Sequence, residues 1–133
     1  ALFPEAEDVA VLAVREVQSY TRQEQEHVDA DVAHTAEGTE QIDEELEGGY
    51  HYAKDAVKHK EEHPALARTW YEISLAEVGH VDMLHKQVVA IISEHRAKHG
   101  QPPESMMAVY NFLHERSIEK MQEIKRLQEL YRQ

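Results

Sequence analysis

PALARTWYEISLAEVGHVDMLHKQVVAIISEHRAKHG, residues 64–100, decides the fold. Leu66, Trp70, Ile73, Leu84, Val88 and Ile91 recur at spacings of three and four, the period of a helix with one apolar face. Pro64 suits a first helical position, where no backbone N–H is needed. Gly100 stops the run. The spacing predicts a helix over 64–98. Glu77 and His80 interrupt the apolar stripe. At i, i+3 they share one face, and a carboxylate on a core-facing stripe is costly unless it is paired or bound to a metal.

Working upstream, Ile42, Leu46, Tyr50, Ala53 and Val57 predict a helix over 40–61. Val9, Ala13, Val17 and Tyr20, continued by Glu24, His27 and Asp31, predict another over 5–34, with Gly38 in the break between the two. Gly48-Gly49 disfavours a helix by roughly 1 kcal/mol per residue, so the pair marks a weak spot or the close approach of a neighbour. Downstream, Gly100-Gln101-Pro102-Pro103 is a further break. Met106, Tyr110, Leu113, Ser117, Met121, Ile124, Leu127 and Tyr131 then predict a helix over 103–131. No strand-like alternation of useful length appears. Short connections make sequential helices antiparallel neighbours, so the expected fold is all-α, an up-down four-helix bundle in a single domain spanning 1–133.

A chain of 133 residues with 41% apolar content can bury a core without metal or disulfide staples. The net charge of −12 argues against nucleic-acid binding and against docking on an anionic membrane, and suits a protein that attracts cations. The absence of cysteine excludes disulfides, thiolate zinc sites, iron–sulfur clusters and cysteine nucleophiles. The longest apolar runs, Val9–Val14 and Val88–Ile92, fall far short of a membrane span. No signal peptide is visible, and the expected compartment is the cytoplasm. The first residue, Ala1, points to a processed or trimmed N-terminus.

Glu-x-x-His on an inward face is a ligand pair of helical bundles that hold two metal ions, where it meets a Glu from each of two other helices. Carboxylate with imidazole suits iron or manganese. Counting residues back from a turn near 61–64 sets Glu47 level with position 78, between Glu77 and His80. A second Glu-x-x-His, Glu24 to His27, reaches the same level if its helix ends near 35. Asp31 and His34 continue that face as further candidates. Glu47, Glu77 and His80 are therefore the expected metal-binding residues, with Glu24 and His27 as added metal ligands. A Glu from the last helix would complete the set, yet Glu119 and Glu123 sit off its stripe.

The stretch Glu44-Glu45-Leu46-Glu47, Tyr52, Pro64-Ala65-Leu66-Ala67, Glu77-x-x-His80 and Leu84 resembles the helical hairpin of the ferritin-like superfamily. It is similar to rubrerythrin hairpins and closest to the encapsulated ferritins. The resemblance covers about residues 40–95 and leaves 1–36 and the last helix outside. It implies that Glu47, Glu77 and His80 are di-iron ligands, that a dimer or larger homo-oligomer completes the site, and that the activity is ferroxidation of Fe(II) by dioxygen or peroxide. The sequence departs from the family where flanking iron-entry acids are expected, since Leu46 and Gly49 stand there. No cargo peptide is recognisable after Gln133, and the cysteine-based iron domain of rubrerythrins is absent.

The competing readings are plainer. Glu77 and His80 form an internal ion pair, or lie on a solvated edge, and the chain is a structural or interaction protein, such as a small phage-encoded accessory protein. Glu119–Arg132, with Met121, Ile124, Leu127 and Tyr131, then serves as an oligomerisation surface. Tyr50 and Tyr52 are either neighbours of the metals or core residues. The acidic runs Asp43-Glu44-Glu45 and Glu61-Glu62 are solvated faces or cation-steering patches.

Overall fold

A computed structural model describes residues 20–133. They form three long helices, α1 (Arg22–His59), α2 (Pro64–His99) and α3 (Glu104–Arg132), and among the described residues there is no strand. The all-α class is as expected. The four-helix bundle is not seen among the described residues. The reason lies at Gly38: the segments assigned to separate helices over 5–34 and 40–61 are, from Arg22 onward, one helix of 38 residues that runs through it. Residues 1–19, with Val9, Ala13 and Val17, lie outside the described residues.

A seven-residue spacing carries α1 across the glycine. Val28, Thr35, Ile42, Gly49 and Ala56 are all buried, with Leu46 and Ala53 buried between them. The facing line on α2 is Ala67, Ser74, Val81, Val88 and His95, again seven apart, joined by Ile92. Such a repeat keeps one narrow seam facing a partner helix over many turns. The seam is rotated from the stripe read in the sequence, and Leu66 is 46% exposed. Ala67, Ser74, Thr35 and the glycines of α1 let the two helices approach closely. A Cβ built on Gly38 would lie only 2.6 Å from Val88 Cγ2, and one on Gly49 would lie 3.4 Å from Glu77 Cβ.

Short connections reverse the chain twice, so α1 and α3 run parallel with α2 antiparallel to both. Thr21 opens α1, its Oγ1 accepting the Glu24 N–H at 3.1 Å. Gly100 closes α2 at φ 84°, a conformation glycine adopts at no steric cost. Lys60 Nζ donates to the Gln133 carbonyl at 3.0 Å and ties together the far ends of α1 and α3. Met106, Met107, Tyr110, Leu113, Ile124 and Leu127 of α3 complete the core with Ile42 and Leu46 of α1. Ile124 and Leu127 are thus buried within the chain, Met121 packs against the same core, and Tyr131 stacks on Tyr71 at 4.5 Å. The face proposed from sequence as an oligomerisation surface is used internally.

Gln128 Nε2 donates to Ser74 Oγ at 3.1 Å, a buried polar link between α3 and α2. Elsewhere these two helices leave a groove of about 650 Å³ lined by residues that include Leu75, Val81, Ile118 and Met121. Among the described residues no helix is long and apolar enough to cross a membrane.

Candidate metal centre

Glu45 of α1 meets Glu77 and His80 of α2. One ligand atom from each lies within 4.8 Å of the other two. His80 Nδ1 stands 3.2 Å from Glu45 Oε2. Glu45 and Glu77 hydrogen-bond to each other through their carboxyl groups. Burial, and then the Glu45 carboxylate, push the Glu77 carboxyl up to about 7, against the opposing pull of His80. Glu45 is held below its ordinary value by the hydrogen bond to Glu77 and by His80, against burial. A proton on Glu77, donated to Glu45, relieves the repulsion of two acids held this close. A cation seated between them does the same with more charge.

Gly48 shapes this arrangement. A Cβ on Gly48 would lie 3.1 Å from Glu77 Oε2, so the glycine leaves the space that the carboxylate occupies as it crosses α1. Of the two readings of Gly48-Gly49, close approach of a neighbour is the one the geometry bears out. Gly48→Ala is expected to displace the Glu77 carboxylate and weaken metal binding. The fold should hold or gain up to about 1 kcal/mol from better helix propensity. Calorimetric metal titration and thermal melting of the same sample check both halves.

The notch above the cluster, about 300 Å³, is lined by Gln41, Glu44, Glu45, His80, Met83 and Leu84, so it is built from α1 and α2 alone. His80 is half in solvent, with 51% of its side chain exposed, rather than pointing into the core. From α3, Glu119 is exposed and Glu123 half-buried, and neither joins the cluster.

Glu47 is placed elsewhere. Level counting gave its height correctly, but two residues along a helix is about 200° of rotation. Glu45 therefore faces α2 and Glu47 faces α3. Glu47 stands 3.5 Å from Lys120 Nζ, 3.8 Å from Arg116 Nη2 and 3.6 Å from His51 Nε2. This is a surface ion network, joined by Asp43 with Arg116 at 2.6 Å. Tyr50 turns the same way, with Lys120 Nζ 4.1 Å from its ring centroid.

Glu24 and His27 cannot reach the cluster within one chain. Because α1 is continuous, Glu24 lies 21 residues before Glu45, about 32 Å along the axis. The His27 ring instead lies 6.3 Å from that of His99. The member of the cluster that sequence reasoning passed over is Glu45, read as part of a solvated acidic run. The usable signal was its position three residues after buried Ile42, on the α2 side of the seam.

Two carboxylates and one imidazole, open to water, suit a divalent ion of the iron or manganese type. No known protein family, curated protein or solved structure matches the chain.

Proposed function

We propose that this protein binds Fe(II) at Glu45, Glu77 and His80 and oxidises it at a two-metal centre completed by a second copy of the chain. One observation carries the reading: a carboxylate from α1 converges with a Glu-x-x-His pair from α2, and Glu45 and His80 of that cluster line a water-open notch. A full di-metal carboxylate set has two such Glu residues and two such pairs, so each chain supplies half. The notch involves no residue of α3, which leaves room for the partner's hairpin.

Glu45 and Glu77 neutralise the incoming charge, and Glu77 gives up its proton when the cation arrives. His80 contributes a neutral nitrogen and fixes direction. Two Fe(II) each lose one electron. Dioxygen accepts both, with two protons, and leaves as hydrogen peroxide; peroxide as oxidant takes two electrons and two protons to give two waters. The net charge of −12 draws the ferrous substrate in. Manganese fits the same donors.

Anaerobic Fe(II) titration of untagged protein, followed by exposure to oxidant, tests the reading. One Fe(II) per chain, a shift to dimer on loading and oxidation faster than in free solution are expected. Glu45→Ala and His80→Ala should weaken binding at least tenfold. Glu47→Ala should leave it unchanged. Equal binding by all three variants, or none by the wild type, overturns the reading and leaves a helical scaffold.

A further inference from the structure

A second cluster lies toward the opposite end of the α1–α2 pair. Asp31 on α1 meets His95 and His99 on α2, and one ligand atom of each lies within 4.8 Å of the other two. His95 and His99 are four residues apart on one helix face, and their ring centroids are 5.0 Å apart. Asp31 is 14 residues from Glu45 along α1, about 21 Å. No ion could be shared between this cluster and Glu45, Glu77 and His80.

His95 is the unusual member. It occupies a seam position where the residues seven and fourteen before it are Val88 and Val81, and its side chain is 0% exposed. Its Nδ1 is 2.8 Å from Asp31 Oδ2. Its Nε2 is buried with no hydrogen-bond partner among the described residues. An apolar side chain would fill the seam without leaving a polar atom unsatisfied, and an unsatisfied buried polar atom weakens a fold. A carboxylate oxygen, an imidazole nitrogen and a second imidazole one turn away, close enough together to share one ion, are donors of the kind that hold transition-metal ions. Three such donors, with a water in the fourth position, suit tetrahedral Zn²⁺.

We propose that Asp31, His95 and His99 form a separate binding site for one divalent ion of the zinc type, which clamps the N-terminal half of α1 to the C-terminal half of α2. The site is independent of the iron centre and rests on different residues. Its two imidazoles and single carboxylate favour zinc over the harder ions that suit two carboxylates and one imidazole.

The test is Zn²⁺ titration of the full, untagged chain against a chromophoric chelator, with Co²⁺ as a spectroscopic stand-in. Wild type should take up one tight equivalent, show the intense visible absorption of four-coordinate Co²⁺, and melt at a higher temperature with Zn²⁺ than without. His99→Ala and Asp31→Asn should each weaken that equivalent at least tenfold and abolish the Co²⁺ band. Both positions are only half-buried, so these variants test the site without emptying the core. Glu77→Ala should retain the equivalent, which separates this site from the iron centre. Zn²⁺ bound with the same affinity by wild type, His99→Ala and Asp31→Asn would mean adventitious surface histidines and overturn the proposal. So would loss of the equivalent in Glu77→Ala alone.

Discussion

Gly38→Ala is expected to destabilise the fold by up to about 2 kcal/mol, although alanine is the better helix former. Two effects oppose each other. Removing glycine from the middle of a long helix gains roughly 1 kcal/mol. The new Cβ would sit 2.6 Å from Val88 Cγ2, a distance real atoms do not tolerate. Val88 is fully buried and β-branched, so it has little freedom to rotate away. Forcing a methyl into such a seam costs about 1–3 kcal/mol, because the helices must part or the valine must leave its preferred rotamer. The clash outweighs the propensity gain. The sign should invert when Val88 is shortened. In a Val88→Ala background the obstructing carbon is gone, no other atom from outside the adjoining turns of α1 lies within 4 Å of the new methyl among the described residues, and Gly38→Ala becomes stabilising by up to about 1 kcal/mol. Urea unfolding of the four proteins in the cycle measures this directly. Stabilisation by Gly38→Ala in both backgrounds would mean that the Val88 side chain does not crowd position 38.

The second large effect concerns pH. In the metal-free protein the Glu77 carboxyl holds its proton to about 7, against an ordinary value of 4.5. The folded state thus binds this proton more tightly than the unfolded chain does. The resulting stabilisation is fully present below 4.5, fades as pH rises toward 7, and is absent above it. Glu45 shifts the other way, so its contribution is present above 4.5 and is lost as pH falls below that value. The window between 4.5 and 7 therefore belongs to Glu77 within the pair. His85, pushed down by burial and by His114, also acts near the upper part of this window, losing stability as pH falls. Comparison with Glu77→Gln isolates the carboxyl. The amide cannot ionise and can still donate to Glu45. The variant should match wild type at pH 4.5, gain on it steadily to about 7, and hold a constant advantage above. Parallel stability curves across this range would refute the shared proton. A saturating divalent ion should erase the difference in slope for wild type alone, since the ion replaces the proton.

Much of the fold was legible because local chemistry fixes it. Pro64 begins α2 and Gly100 ends it, as their backbone preferences require. The core residues of α3 follow its stripe, with Met106, Tyr110, Leu113 and Ile124 buried as expected. Gly38 misled because glycine signals a break only when nothing rewards continuation. Here the buried series Val28, Thr35, Ile42, Gly49 and Ala56 runs straight through it. The glycine serves to admit Val88, a role that cannot be assigned until the partner helix is known.

The sequence by itself determined the helical class, the hairpin between α1 and α2, and the height at which acids face Glu77 and His80, because period and chain length are local quantities. Only the tertiary structure decided which acid turns inward. Glu45 and Glu47 share a height but differ by about 200° in direction, and the neighbour on each side selects between them: α2 takes Glu45, while Arg116 and Lys120 of α3 take Glu47. The meeting of Asp31 with His95 and His99 was likewise beyond the sequence, since it depends on a seam whose phase is set by the closest approach of two backbones.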